Sequence, residues 1–310
     1  MKNKYNIDPD FKKFPLINFS FSQLSLAFFN SLLMVDRLLH KPPADIKLNK
    51  QKIVSQDGSP FKIITMTPHN LRKNAPALIY CHGGGFALTY GGTHLQIAEH
   101  YASGADCVVI FVDYRLAPKH PFPSGFDDCY AALQWTIENA NQLGIDTSRI
   151  AVGGDSAGGA LAAGIAQKAR DEGLANLCAQ LLIYPVLDYR CDTPSATHFV
   201  DTPLWNAGSN RKMWQTYLSR YATDTIPDYA SPGYGKLDDL PLSYIEPAEF
   251  DPLRDEAINY AHKLQQQGIK TILNQTHGTI HGFDVNPSSA ISKEAFAARI
   301  HFLQEAFAQL

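Results

Sequence analysis

The chain is poor in the features that mark several protein classes. Its 310 residues hold only five cysteines, Cys81, Cys107, Cys129, Cys178 and Cys191, an odd number with no C-x-x-C pair. That excludes a disulfide framework and a cysteine-based zinc site, and reads instead as reduced thiols buried in apolar runs. Excess charge of either sign is missing. With 27 Lys and Arg against 30 Asp and Glu, the formal net charge is −3. Such a balance offers no electrostatic reason to expect nucleic acid or an anionic membrane as partner. There is no internal repeat, no low-complexity tract and no H-E-x-x-H, and His94 and His100 lack metal-ligand spacing. No metal and no cofactor are therefore expected.

Long apolar runs are also missing. The nearest, Ile17 to Val35, is broken by Asn18, Ser20, Ser22, Gln23, Ser25, Asn30 and Ser31. It is too polar for a membrane span of roughly 20 residues, and no small-residue cleavage site follows it. Leu24, Phe28, Leu32 and Val35 recur there at helical spacing, which predicts an amphipathic helix whose greasy face covers something. The expectation is a soluble, cytoplasmic protein.

What the sequence does have is an alternation of strands and helices. Strand patterns fall at 52–56, 61–67, 77–82, 107–114, 149–154, 179–186, 242–250 and 270–276, and helical periodicity at 94–103, 124–142, 157–172, 254–267 and 290–308. Asp57-Gly58 signals a hairpin between the first two strands. From the third strand on the connections are long and helical, and runs such as "CVVIFV" are apolar throughout. That pattern predicts an α/β fold with a mostly parallel sheet and helices on both faces. Two stretches stand outside the rhythm, residues 1–48 and residues 188–240. A connection as long as the second is usually functional, often a lid over a site. The expected core is 49–187 with 241–310.

The segment "RIAVGGDSAGG" (Arg149 to Gly159) ends a strand and opens a helix. Gly153 and Gly158 have P-loop spacing, but Gly159-Ala160 follow where Lys-Ser/Thr is required, so the charge that would bind phosphate is missing. A turn needed only for packing explains the glycines but not the serine at its apex. The third reading is a nucleophile elbow, Gly154-Asp155-Ser156-Ala157-Gly158, with Ser156 on a sharp turn before a helix N-terminus.

A serine hydroxyl needs a base, an orienting acid and oxyanion donors. "CHGGGF" (Cys81 to Phe86) ends the third strand with three glycines whose N–H groups can face an oxyanion, and the Ala157 N–H adds another. His281 follows the last strand pattern, with His277 as its neighbour and rival. Asp251 ends the seventh, with Asp255 and Glu249 as local competitors. Asp255 falls in a first helical turn, where an acid is expected for dipole reasons alone. The order Ser156, Asp251, His281 is that of α/β-hydrolases.

Taken together, "HGGGF", "DYRLAPKHPFP" (Asp113 to Pro123), "GDSAGG", "EFDPLRDEA" and "IHGF" resemble the bacterial hormone-sensitive lipase-like carboxylesterases, among them the acetyl esterase and arylacetamide deacetylase relatives. The resemblance spans about residues 50 to 310. It implies an α/β-hydrolase fold with an eight-stranded, mostly parallel sheet and a helical cap made from 1–48 and 188–240. It also implies that Ser156 is the nucleophile, Asp251 the acid and His281 the base. Gly84, Gly85 and Ala157 would be the oxyanion donors, with Gly83 a neighbouring candidate. The implied substrate is a small-molecule, short-acyl ester, cleaved through an acyl-enzyme without metal or cofactor. Some relatives form a homodimer through the edge strand. In the cap, Trp205, Trp214 and Tyr217 are candidates to line the pocket. A plant gibberellin receptor resembles the family yet lacks the histidine, which this chain keeps as His281. A serine amidase or peptidase is a second alternative, but no blade-like repeat precedes residue 50. Two positions depart from the family pattern: Lys119 stands where Glu is usual, and Ala257 where Gly is common.

Overall fold

In the computed structural model, which describes residues 4–308, the apolar runs become ten strands. These are β1 Ile46–Val54, β2 Pro60–Pro68, β3 Ala75–Cys81, β4 Val108–Asp113, β5 Ile145–Asp155, β6 Ala179–Ile183, β7 Leu242–Glu246, β8 Ala248–Phe250, β9 Thr271–Leu273 and β10 Thr276–Ile280. Residues 1–3 and 309–310, the outer ends of the expected cap segment and core, lie outside the described residues. Eight strands form one sheet in the order β1-β2-β4-β3-β5-β6-β7-β9. β2 runs antiparallel to both neighbours, and the pairs from β4-β3 to β7-β9 are parallel. Asp57-Gly58 turns the β1-β2 hairpin as expected, with Gly58 at φ +79°.

The helices are α1 Pro9–Lys12, α2 Gln23–Leu39, α3 Gly92–Gly104, α4 Ser124–Glu138, α5 Ala140–Leu143, α6 Ala157–Asp171, α7 Pro194–His198, α8 Ala207–Tyr217, α9 Arg254–Gln266 and α10 Ala290–Ala308. Alternate strand residues feed two cores. Ile79, Ile110 and Val152 pack with α4, α6 and α9 on one face; Leu78, Val109 and Ala151 pack with α3 and α10 on the other. Both faces of the central strands are thus covered, which is why their sequences are apolar without alternation. The five cysteines are free thiols. No helix among the described residues is long and apolar enough to cross a membrane.

Three expectations need correction. The stretch 242–250 is not one strand: Pro247 has no N–H to donate to a ladder, so the chain breaks into β7 and β8. The stretch 270–276 likewise divides into edge strand β9 and a separate β10, which pairs with β8 in a two-stranded ribbon. The helix carrying Leu24, Phe28, Leu32 and Val35 forms as α2, but these residues face solvent and cover no part of the core among the described residues.

Two buried ionisable groups hold elements together. Arg299 of α10 donates through Nε to Glu246 at 3.0 Å and through Nη1 to Asp284 at 2.6 Å, with all three side chains out of contact with water. Glu256 of α9 accepts the N–H groups of Leu187 at 2.6 Å and Asp188 at 3.2 Å, pinning the chain where it leaves β6. Its Oε2 is buried without a partner. Burial first, then the nearby carboxylates of Asp188 and Asp251, raise the Glu256 pKa well above the usual range against the pull of its two N–H bonds.

Two outcomes follow. Replacing Arg299 by Met leaves Glu246 and Asp284 as unpaired buried charges, and should lower unfolding free energy in urea by about 3–5 kcal/mol. A loss within about 0.5 kcal/mol, the size of an ordinary surface change, would remove this ion cluster as a stabilising element. The raised Glu256 pKa means that the native chain keeps a proton the unfolded chain releases above about pH 4.3. Its contribution is full below that pH and declines as pH rises toward the native pKa. Glu256→Gln should flatten that decline in urea midpoints measured from about pH 5 to 8. An unaltered slope would mean the carboxyl is ionised in the fold.

Candidate active site

Strand register assembles the site. Cys81 pairs with Gly154 across β3 and β5, so His82 and the glycines after it sit beside Asp155 and Ser156. Phe250 pairs with Ile280 across β8 and β10, so Asp251 and His281, far apart in sequence, emerge side by side. The breaks that split the two long strand patterns create this second pairing.

Ser156 has φ +55° and ψ −119°, a conformation costing a non-glycine residue on the order of 1–3 kcal/mol. Both of its backbone groups are clamped by the end of β6 and the loop that follows: its N–H donates to the Ile183 carbonyl at 2.8 Å, and its carbonyl accepts from the Val186 N–H at 3.1 Å. The bend also brings backbone against backbone. A Cβ on Gly158 would overlap the Cys81 carbonyl, and one on Gly154 would overlap the Gly158 backbone. The flanking glycines are therefore steric requirements of the turn.

The Ser156 Oγ lies 2.9 Å from His281 Nε2, and His281 Nδ1 lies 2.7 Å from Asp251 Oδ2. A carboxylate accepts only, so Nδ1 carries the proton and Nε2 is left to accept from the serine hydroxyl. Asp251 is wholly buried and its Oδ1 accepts the Leu253 N–H at 3.0 Å. The rivals are occupied elsewhere. His277 is exposed near Glu249; Glu249 accepts the Gly278 N–H at 2.6 Å; Asp255 accepts the Ser195 N–H at 2.7 Å and pairs with Arg254.

On the facing loop the candidate donors separate. The Gly83 N–H donates to Asp155 Oδ1 at 3.1 Å, so it is already engaged and is corrected from the candidate oxyanion set. The N–H groups of Gly84, Gly85 and Ala157 meet no acceptor among the described residues. Gly84 at φ +112° and Gly85 at φ +58° need the freedom of glycine. His82 orients the turn. Its ring lies stacked on Tyr114, with the Phe111 ring also parallel to it, and Nδ1 is 2.6 Å from the Gly83 carbonyl. Since a carbonyl only accepts, Nδ1 is the donor, and burial lowers the His82 pKa to about 3, keeping the ring neutral. With the Gly83 carbonyl held on that side, the N–H of the same planar peptide, that of Gly84, points the opposite way.

Sequence reasoning missed Asp155 as a working residue. Besides Gly83, Asp155 Oδ1 accepts the Tyr80 hydroxyl at 2.8 Å, and burial raises its pKa. A carboxylate next to the serine in an apolar run was the available signal; its partners come from another strand. Tyr184 was missed too. Its ring meets the His281 ring edge-on at 4.8 Å while its hydroxyl donates to Asp284 at 2.6 Å.

Ser156, His281, Gly84 and Gly85 line an open cavity of about 170 Å³ walled by Phe19, Leu88, Ile97, Leu204 and Trp205. Of the three aromatic cap candidates only Trp205 lines it. Tyr217 stacks on Phe86 at 3.6 Å between ring centres, and Trp214 packs beside them. Lys119 is exposed, and Arg115 in that loop instead pairs with Asp57 and Asp128.

Residues 78–285 match the family described as alpha/beta hydrolase fold. Carboxylesterase NlhH of Mycobacterium tuberculosis is 40% identical over 242 residues, covering 76% of this chain and 75% of the relative. Among solved structures, a bacterial heroin esterase superposes with a TM-score of 0.90 at 36% identity, covering 98% of this chain and 99% of that one. Esterase LipW from Mycobacterium marinum gives 0.88 at 33% identity, covering 98% and 96%. With the sheet, the glycine loop and the serine turn in place, the chain belongs to the α/β-hydrolase family, in its bacterial hormone-sensitive lipase-like branch, and is a serine carboxylesterase.

Proposed function

We propose that the chain cleaves short-acyl esters through an acyl-enzyme, with Ser156 as nucleophile, His281 as general base and acid, and Asp251 as the carboxylate that orients it. The observation that carries the reading is the continuous line from Ser156 Oγ to His281 Nε2 to Asp251, at 2.9 and 2.7 Å. A receptor that only holds a ligand has no need of a base within hydrogen-bond reach of a strained serine.

In the acylation step Oγ bonds to the ester carbonyl carbon while its proton passes to His281 Nε2, and the carbonyl π pair moves onto oxygen. Gly84, Gly85 and Ala157 donate to that oxyanion. Each such donor is worth about 2.7–4 kcal/mol in the transition state. Collapse expels the alkoxide, which leaves as alcohol with the His281 proton. Water then attacks the acyl carbon, giving its proton to the same nitrogen, and Ser156 recovers its proton as the acid departs. Asp251 stays ionised and stabilises the imidazolium.

The short-acyl preference rests on size. A space of about 170 Å³ lies below the 300 Å³ or so where pockets for drug-sized ligands begin. Residues 4–45, short of the expected boundary at 48 because β1 already begins at Ile46, and residues 188–240 act as the cap, with Phe19 from the first and Leu204 and Trp205 from the second walling the cavity. Free thiols throughout fit a reducing cytoplasm.

Hydrolysis of chromogenic esters of graded acyl length tests this reading. Ser156→Ala should lose about six orders of magnitude in kcat, and Asp251→Asn about four. Undiminished turnover in the serine variant would sink the mechanism. An organophosphate should label one serine, within the tryptic peptide Ile150–Lys168. In the wild type kcat/KM should fall beyond short chains, and Trp205→Ala should move that limit to longer acyl groups. A wild-type profile rising toward long chains would contradict the size argument alone.

A further inference from the structure

Amphipathic helices of globular proteins dock by their apolar face. α2 docks a mixed face, with Leu26 buried, Phe29 packed on Phe19 and Leu33 against Gly91, and leaves a second apolar face outside. Asn30 accepts from the Thr89 N–H at 2.7 Å and donates to the Ala87 carbonyl at 3.4 Å; Asp36 accepts from the Thr93 N–H at 3.3 Å. Arg37 lies over the Tyr90 ring at 4.5 Å, and the capping His40 meets Glu99 at 2.9 Å. Outward go Leu24 and Leu38, 86% and 80% exposed, together with Phe28, Leu32, Val35 and Leu39. At about 100° per residue these six share one continuous face. Turning the helix over would bury the outer leucines but leave Thr89, Thr93 and Glu99 without these partners and expose Leu26 and Phe29, so hydrogen bonds and this packing together hold the orientation. Such a face exceeds the singly scattered apolar residues normal on a soluble monomer.

A second observation concerns charge. Residues 12–52 hold seven Lys and Arg (Lys12, Lys13, Arg37, Lys41, Lys47, Lys50, Lys52) against two acids, Asp36 and Asp45, in a chain whose net charge is −3. The six lysines are exposed and make no ion pair among the described residues. The near-neutral total thus hides a basic segment that flanks α2 in sequence; on β1, Lys50 and Lys52 alternate with Ile46 and Leu48 onto the sheet face that α3 covers and on which α2 lies, and Lys47 onto the other.

We propose that α2 is an interfacial helix that lays the protein on an anionic lipid surface, with its leucines among the acyl chains and the flanking lysines at the headgroups. Helices that lie in a membrane plane combine such a face with basic flanks. A second copy of the chain fits less well. Protein interfaces carry roughly one hydrogen bond per 100–200 Å² and a polar rim. The side-chain hydroxyl on this face, that of Ser31, is already spent on the Ala27 carbonyl at 2.7 Å. Two-fold pairing would also set one basic segment against another, whereas fluid lipid requires no directional partner. The placement has a consequence for the site, which rests on the hydrolase reading while the binding does not. Phe29 packs on Phe19, and Asn30 holds both neighbours of Leu88. Phe19 and Leu88 line the cavity, so the docked helix would set its wall beside the acyl layer, where lipophilic esters collect.

Flotation of the full chain with vesicles tests this. The wild type should float with phosphatidylcholine vesicles containing phosphatidylglycerol, and at least about tenfold less with phosphatidylcholine alone. Leu24→Gln/Phe28→Gln/Leu38→Gln changes only exposed side chains. It should lose at least about tenfold in partitioning while its circular dichroism and its hydrolysis of a water-soluble acetyl ester stay unchanged. Lys41→Glu/Lys50→Glu, which keeps every leucine, should lose binding to the anionic vesicles alone. Wild type that stays unbound with both vesicle types overturns the proposal. So does a dimer seen by light scattering that the triple variant dissolves without any vesicle binding, which would assign the face to a second copy. Equal binding to both vesicle types overturns the anionic part.

Discussion

The close approach of the β5-α6 turn to the end of β3 is the constraint on which the proposed site depends. Gly158 lies against the Cys81 carbonyl and Gly154 against Gly158, so neither position has room for a Cβ. The same contact forces Ser156 into a positive-φ conformation that only surrounding structure can hold. That structure is the carboxyl end of β6 with the loop after it, which together take both backbone groups of Ser156. Strain at the serine is thereby offset by packing and hydrogen bonds in the sheet, and the hydroxyl stands in one place relative to His281.

The glycine loop after β3 follows a related logic. Its backbone would be free to flip if nothing held the peptide planes. Asp155 takes the Gly83 N–H and His82 takes the Gly83 carbonyl. With that peptide fixed, the next N–H groups stay unpaired among the described residues, which is what the proposed oxyanion role requires. Preorganised donors are worth more than donors that must reorient during reaction. The residue beside the serine therefore works on the opposite side of the proposed oxyanion cradle, through a loop from a different strand.

At the periphery, packing and patterning part company. A helical period in Leu24, Phe28, Leu32 and Val35 identifies α2 correctly, yet the same period gives the wrong side for its contact with the core. Periodicity reports which residues share a face. It does not report what that face meets, and here the polar side chains Asn30, Asp36 and Arg37 had specific backbone and ring partners waiting.

The linear chain by itself determined the order of the elements, the parallel character of the central sheet and the residues around which the site is built. Those properties come from local causes: apolar runs covered on both faces, glycines where a turn excludes side chains, and motifs short enough to be read as words. Tertiary structure decided what depends on partners distant in sequence. It divided two long strand patterns at Pro247 and after Leu273, because only then can β8 and β10 pair and bring Asp251 beside His281. It engaged Gly83 while leaving Gly84 and Gly85 open. It sent Trp214 and Tyr217 into packing around Phe86 while Trp205 walled the cavity. Each outcome turns on which hydrogen-bonding group or ring lies within a few ångströms, and that distance exists only once the sheet has formed.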